Sequence, residues 1–524
     1  MDETPPRPQS RLRWDWVLIC LAVGVAAFWI GWQRGDRAAE DRIYGVGNFD
    51  RAAQSPLRSP AATTERNLRL ASATTPTGEL PIKAFFDLLV GNPRDFDRAA
   101  AAVRSGYRPG YAPMLMEVRR FSPNADHRRR MDDLIESLTG QAFDGNSDAA
   151  WRWVWDRPYA PHPDYGTFKA ELYRGLDPRF AAYFDDHTDD ALIRLDEVRW
   201  GGVRRDGIPP LKDPEVVSVD APEAAYLDDD NVVFGIEFNG DARAYPKRIL
   251  AWHEMVKDVV GPPDNPLSIN GVYCTLCGSM IVYRTEHDGK HYELGTSGFL
   301  YRSNKLMYDH ATESMWSTLT GRPVIGPLVG QGIQLEPLYV VTTTWGEWKK
   351  RHPDTKVLTL NTGHRRNYGE GVAYRSYFGT DELMFTVPQA DNRLLNKQEV
   401  LALRFGTPGT PGTPGTPGND TTPPTAIDTA LLGANPLYID TLGETRYAVL
   451  TDTSGANRVY AVGGTQLTNY DGHQTATDAG GRTWTVTEDA LVADDGSRPL
   501  DRLPAHRAFW FGWHAAHPDT ELIR

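Results

Sequence analysis

Cysteine is close to absent from this chain. Three occur among 524 residues, Cys20, Cys274 and Cys277. That excludes a disulfide-stapled scaffold, and because Cys20 lies in an apolar segment it leaves room for one intramolecular bridge at most, between Cys274 and Cys277. A positive balance is absent too. The formal net charge is −13, which argues against nucleic acid as a partner and gives no basic membrane patch. No Gly-rich phosphate loop and no Ser/His/Asp order stands out, so nucleotide use and hydrolase chemistry have little support. Long apolar runs are missing as well, with one exception near the N-terminus.

That exception opens the inventory of what is there. Residues 16–32 carry no charge, follow Arg7, Arg11 and Arg13, and are bracketed by Trp14, Trp16, Trp29 and Trp32. The length spans a bilayer, and tryptophan suits both of its interfaces. A small-residue cleavage site is not evident, and Ile19 stands before Cys20 where a lipoprotein signal needs a small residue. The expectation is an uncleaved transmembrane anchor over 14–32 with a cytoplasmic tail over 1–13. Arg34, Arg37 and Arg42 nearly balance the leading arginines, but a short tail and a large trailing body favour a body outside the cytoplasm, periplasmic or extracellular.

Length predicts about two or three domains. Residues 33–78 are polar and weakly periodic, a tether. Over 79–190 the pattern turns helical. Runs at 81–90, 95–103, 112–121 and 128–138 carry apolar residues at three-to-four spacing between Gly, Pro and Asn breaks, which predicts a small all-α domain. Trp151, Trp153 and Trp155 would cover a broad helix face, either packed onto a neighbouring domain or offered as a stacking platform.

Beyond that point the chain is strand-rich. Val232 to Phe238, then Asn239-Gly240, then Ala242 to Tyr245 predicts a hairpin with an Asn-Gly turn. Pro246 opens a predicted helix over 247–260, on which Ile249, Leu250, His253 and Val256 share one face, so His253 points inward, more often the position of a hydrogen-bonded core histidine than of a ligand. Cys274 and Cys277 follow, three apart, with Gly278 directly after them and β-branched runs on both sides. Strand, cysteine turn, strand outlines a metal knuckle, in which the turn aims both sulfurs to one side and glycine lets the backbone curl beneath them. A thioredoxin-like site would instead place the cysteines at a helix N-terminus, and nothing helical follows Cys277.

The turn admits three chemistries. In the first, Cys274, Cys277 and His253 are metal ligands, and thiolates plus imidazole suit zinc or copper. In the second, the cysteines form a thiol–disulfide oxidoreductase centre in which one attacks and the other resolves. In the third, the bridge is structural and the protein is a non-enzymatic module binding a glycan or a protein through its aromatic surface. Glu254 beside His253 is either a ligand-orienting group or base, or a solvent-facing side chain; in the first case Cys274, Cys277 and Glu254 are the catalytic candidates. Downstream, Ser297, Asp309, Thr312, Ser314 and Trp316 gather hydroxyl, acid and indole groups, either as turn-forming side chains or as a polar site lining.

The chain also echoes itself. Trp345, Trp348, His352-Pro-Asp-Thr355 and Leu358 recur at closely matched spacing as Trp510, Trp513, His517-Pro-Asp-Thr520 and Ile523. This predicts two related units, 191–395 with the cysteine turn and 396–524 without one, each with a short Trp-bearing helix, a Pro-Asp turn and a strand. Within the second, the Thr-Pro-Gly triplets and their continuation over 407–424 predict a disordered loop.

Taken in order, Ala242-Arg-Ala-Tyr-Pro246, Trp252-His-Glu254, Tyr273-Cys-Thr-Leu-Cys-Gly278, Gly295-Thr-Ser-Gly298, Tyr308-Asp309 with Thr312-Glu-Ser-Met-Trp316, and Trp345-Gly-Glu-Trp348 before His352-Pro-Asp-Thr355 carry a resemblance. The chain resembles the bacterial and archaeal family catalogued as domain of unknown function 3179, most strongly over about 195–365. Thr275 stands where that family has proline, which leaves the sulfurs unaffected. The resemblance implies an exported or membrane-anchored protein and implies no particular activity. The fold class expected is α+β: an anchor, a small helical domain, then a mainly antiparallel β-rich body of two related units.

Overall fold

The structure is a computed structural model that describes residues 78–89, 92–187, 189–403 and 423–524. The expected anchor, most of the tether and nearly all of the Thr-Pro-Gly loop lie outside the described residues. Among the described residues no helix is long and apolar enough to cross a membrane. The chain divides into two compact units between Glu197 and Val198.

The first unit is helical. Its main helices are α1 (Pro93–Gly106), α2 (Ala112–Arg120), α3 (Ala125–Thr139), α4 (Ser147–Trp155) and α5 (Tyr165–Arg174). Asparagine sets three of the starts. Asn92, Asn124 and Asn146 each accept backbone N–H groups in the first turns of α1, α3 and α4, which satisfies donors the helix itself leaves unpaired. Trp151 and Trp155 stack at 5.4 Å inside this unit. Trp155 donates its indole N–H to the Asp196 carbonyl at 3.2 Å. Its core also holds an ion pair, Lys169 to Glu117 at 2.7 Å, with the Tyr173 hydroxyl donating to the same carboxylate at 2.7 Å.

The second unit is a mixed α+β body of mostly antiparallel sheets. Its first part runs β1 (Val216–Ser218), β2 (Val232–Phe238), β3 (Asp241–Pro246), α6 (Lys247–His253), β4 (Met255–Val260), β5 (Leu267–Cys274), β6 (Ser279–Arg284), β7 (Leu294–Tyr301) and β8 (Asn304–Asp309). It continues through β9 (Val341–Thr344), α7 (Trp345–Arg351), β10 (Lys356–Leu358) and the short helix α8 (Arg375–Phe378). One sheet has the order β9-β2-β3-β10-β1, and a second packs β6, β5 and β4 side by side. The β2–β3 hairpin turns through Asn239 and Gly240, both at positive φ, as an Asn-Gly turn requires.

The predicted helix over 247–260 needs correction. It stops at His253, Glu254 takes a left-handed conformation at φ 55°, and residues 255–260 become strand β4, paired antiparallel with β5. The β-branched run after Glu254 finds a ladder partner, and that tertiary pairing overrides the helical spacing.

The remainder runs β11 (Glu399–Leu403), β12 (Thr425–Asp428), α9 (Thr429–Ala434), β13 (Leu437–Leu442), β14 (Thr445–Thr451) and β15 (Asn457–Ala461). A five-stranded meander follows, and the chain ends in β16 (Ala505–Phe509), α10 (Trp510–Ala516) and β17 (Glu521–Ile523). The sheet order here is β16-β11-β12-β17. β16 pairs antiparallel with β11, β11 antiparallel with β12, and β12 parallel with β17. In the first part, β9, β2, β3 and β10 pair in that same order with the same senses.

The two tryptophan helices match in detail. Trp348 donates its indole N–H to Thr355 Oγ1 at 2.9 Å, and Trp513 donates to Thr520 Oγ1 at 2.8 Å. Each threonine hydroxyl passes its own proton to a backbone carbonyl on the partner strand side, Ala242 in one case and Pro424 in the other.

Candidate functional site

The cysteine turn closes the β5–β6 hairpin. Cys274 pairs with Ser279 across the ladder, the Cys277 N–H donates to the Cys274 carbonyl at 3.1 Å, and Gly278 has φ 62°. Their Cα atoms are 5.2 Å apart and the two sulfurs are joined as a disulfide. Both residues are buried, Cys274 to 3% and Cys277 to 1% exposure, so whatever covers the turn governs its chemistry.

Two covers exist. One is the C-terminal tryptophan helix. The Phe509 N–H, just before α10, donates to the Cys277 carbonyl at 2.7 Å, and Gly512 lies directly against the Cys277 side chain. The other is an irregular strap over residues 361–378. The Tyr377 hydroxyl donates to the Leu276 carbonyl inside the turn at 2.8 Å. Three consecutive residues ahead of β4 hold the rest of the strap. Trp252 donates its indole N–H to the Asn367 carbonyl at 2.9 Å, His253 Nε2 meets the Tyr368 hydroxyl at 2.5 Å, and Glu254 Oε1 accepts from the Tyr374 hydroxyl at 3.2 Å.

His253 is a core residue with both nitrogens engaged. Burial pushes its imidazole pKa down to about 4, so the ring is neutral at pH 7 and carries one proton. Nδ1 faces the Pro209 carbonyl at 2.9 Å, which can only accept, so Nδ1 holds the proton and Nε2 accepts from Tyr368. The Tyr368 oxygen in turn accepts from Thr362 Oγ1 at 2.6 Å. The result is an ordered relay, Thr362 to Tyr368 to His253 to a carbonyl. The exposed His364 ring sits 5.1 Å from His253 at its outer end.

Glu254 belongs to a second buried cluster. Its Oε2 accepts from Lys305 Nζ at 2.9 Å, a buried ion pair in which each partner offsets part of the other's desolvation. Glu254 and Tyr374, joined by a hydrogen bond, both have φ 55°. Non-glycine residues held there cost on the order of 1–3 kcal/mol each, and such strain clusters at functional sites.

The expected ligand set of Cys274, Cys277 and His253 is therefore not assembled for a zinc or copper ion. The sulfurs are spent on each other and the imidazole on Pro209 and Tyr368. Among the described residues no group of three His, Cys, Asp or Glu side chains is placed to hold a metal.

The polar run downstream forms a turn. Asp309 accepts from the Ala311 and Thr312 N–H groups, the Thr312 hydroxyl and the Trp316 indole. Ser314 Oγ accepts from the Leu328 N–H at 3.1 Å. Ser297 donates to the Leu306 carbonyl at 2.6 Å and accepts from the Phe299 N–H, bracing an irregularity between β7 and β8. The groups around the turn that sequence reasoning missed are Lys305, Tyr368, Tyr374, Tyr377 and Gly512. The signal was a run of tyrosines in an otherwise Gly- and Arg-rich stretch with no periodicity.

Fold and site together define an α+β protein whose β-rich body buries a Cys-x-x-Cys disulfide beneath a tyrosine-pinned strap. The family described as "Protein of unknown function (DUF3179)" matches residues 205–520, and the chain belongs to it. The match takes in both tryptophan helices. No curated protein and no solved structure matches the chain.

Proposed function

We propose that this is a membrane-anchored, extracytoplasmic protein whose working centre is a thiol–disulfide couple at Cys274–Cys277. The observation that carries the reading is the direct bond between the two sulfurs, with His253 committed elsewhere by both nitrogens. A bridge across a sequence separation of three is a poor staple, since in the chain-entropy account a loop that short gains only about 2 kcal/mol. An oxidised pair also suits a body outside the cytoplasm, where disulfides persist, in keeping with the charge-free run over 16–32.

The glycan-binding alternative has less support, because the exposed large hydrophobics among the described residues are Leu192, Val259, Leu360, Leu395 and Val492, none of them aromatic. The matched sheet orders and the paired Trp–Thr hydrogen bonds support reading the body as two related units, the first bearing the redox turn and the second capping it through α10.

The test is a thiol count with elemental analysis on the purified full chain. We expect two additional thiols after treatment with a dithiol reductant, their reversible loss on reoxidation, and no stoichiometric zinc or copper. One metal per chain bound through thiols that are free on isolation would overturn the reading.

A further inference from the structure

We propose that the two cysteines have unequal roles: Cys274 exchanges with the redox partner, and Cys277 is the resolving cysteine, held as a thiol when the pair is reduced. This rests on the thiol–disulfide reading above. Both cysteines are buried, Cys274 to 3% and Cys277 to 1% exposure, and what sets Cys277 apart is what its sulfur faces. Its sulfur stands 3.3 Å from the Ser303 carbonyl oxygen, and a Cβ on Gly512 would stand 3.6 Å from that sulfur and 3.1 Å from the Cys277 Cβ. Its own carbonyl is tied to the Phe509 N–H at 2.7 Å.

The Ser303 carbonyl is fixed in place. Arg302 and Ser303 form the turn between β7 and β8 with φ 49° and 68°. The next residue, Asn304, donates from Nδ2 to the Gly512 carbonyl at 2.9 Å, tying that turn to α10. A carbonyl oxygen can accept from a thiol but can only repel a thiolate, so it favours the protonated sulfur. The Cys274 sulfur has no such neighbour: among the described residues its one polar or covalent partner is Cys277.

The chemistry balances with a disulfide substrate. From the reduced pair, the Cys274 thiolate attacks one substrate sulfur, the substrate S–S bond breaks, and one thiolate leaves. Cys277 then gives up its proton and attacks Cys274 Sγ, breaking the mixed disulfide and releasing the second thiolate. Two electrons pass to the substrate, and the two protons lost by the cysteines end on the two departing thiols. A dithiol reductant runs the same steps in reverse.

The test uses the full chain carrying Cys20→Ser. Reduced protein is treated with a limiting amount of an alkylating agent and the modified cysteine is identified by peptide mass. We expect Cys274 to be labelled at least tenfold faster than Cys277. In parallel, Cys277→Ser should form a mixed disulfide with an aryl disulfide, while Cys274→Ser should react at least tenfold more slowly. Equal or faster labelling of Cys277 in the unsubstituted pair overturns the assignment of roles and leaves the redox reading standing. A pair that cannot be reduced and reoxidised reversibly fails the redox reading itself. The labelling measurement needs no substitution at either cysteine of the pair, so a misfolded serine variant does not decide the outcome.

Discussion

Gly512 and Cys277 stand so close that a Cβ on the glycine would come within 3.1 Å of the Cys277 Cβ. Helix α10 is thereby seated on the cysteine turn through a position where any side chain must push. Gly433, in helix α9, has nothing within 4 Å of its added Cβ, and it serves as the control. Gly433→Ala should stabilise the protein by about 0.4–1 kcal/mol, the usual gain from replacing a helical glycine. Gly512→Ala should lose that gain to overpacking and destabilise by about 1 kcal/mol or more. Denaturant midpoints of the two variants decide it; a stabilised Gly512→Ala would mean that α10 does not press on the turn.

The Trp348–Thr355 and Trp513–Thr520 hydrogen bonds invite a paired experiment. Thr355→Val and Thr520→Val each keep the shape and remove the acceptor of a buried indole N–H. Each should cost about 1–3 kcal/mol, the range for leaving a buried donor unsatisfied. If the two helices are equivalent, the two losses should agree within roughly 1 kcal/mol, which is about the spread that context alone produces. A large loss at one site and none at the other would separate the two units.

How much of this was legible beforehand follows the range of each interaction. The Asn239-Gly240 hairpin, the strand–turn–strand around Cys274 and Cys277, and the echoed tryptophan helices are local patterns, and local spacing carries them. The inward direction of His253 was readable from its helix face, but its partner was not. Tyr368 lies 115 residues further on, in a stretch without periodicity, and nothing in the spacing says that it returns to α6. The helix end failed for a related reason. Glu254 is neither glycine nor asparagine, so its left-handed conformation leaves no mark in the sequence, and β4 is set by pairing with β5. The Lys305–Glu254 pair joins two elements 51 residues apart and was invisible in the same way.

Glu488 anchors a buried charge cluster that ties the first tryptophan helix to the second part of the body. Arg458, Arg502 and His352 reach its carboxylate at 2.8, 2.6 and 3.4 Å. Burial alone would push that carboxyl up, but Arg458, His352 and Arg502 together hold it well below the ordinary glutamate value. Its contribution to stability is therefore present above the unfolded pKa and is lost as pH falls through the folded one. Glu488→Gln removes the carboxylate that faces Arg502 and one side of Arg458, which keeps its second partner Asp452 at 2.8 Å, and should cost about 3–5 kcal/mol, the range for breaking a buried pair. Chemical denaturation of Glu488→Gln at neutral pH is the check, and a loss under about 1 kcal/mol, the range of an exposed pair, would show that the cluster contributes little.

His253 should make the strap acid-labile. Its folded pKa of about 4 lies below its ordinary value of 6.5, so between those two values the unfolded chain binds the proton more readily than the folded one. Stability therefore rises with pH through that window and falls as the solution is acidified from 6.5 towards 4. At about 1.4 kcal/mol for each pKa unit, the full loss from this one group is about 3 kcal/mol. The structural consequence is specific. A protonated Nε2 can no longer accept from Tyr368, so the relay to Thr362 breaks at the residue that pins the middle of the strap. Strap opening can be followed by hydrogen exchange over residues 361–378 against exchange in β5 as an internal reference. We expect exchange in the strap to accelerate between pH 6.5 and 4 relative to that reference. Tyr368→Phe should show fast strap exchange already at pH 7 and a flatter pH dependence. Strap exchange that runs parallel to β5 at every pH would mean that His253 does not control the strap.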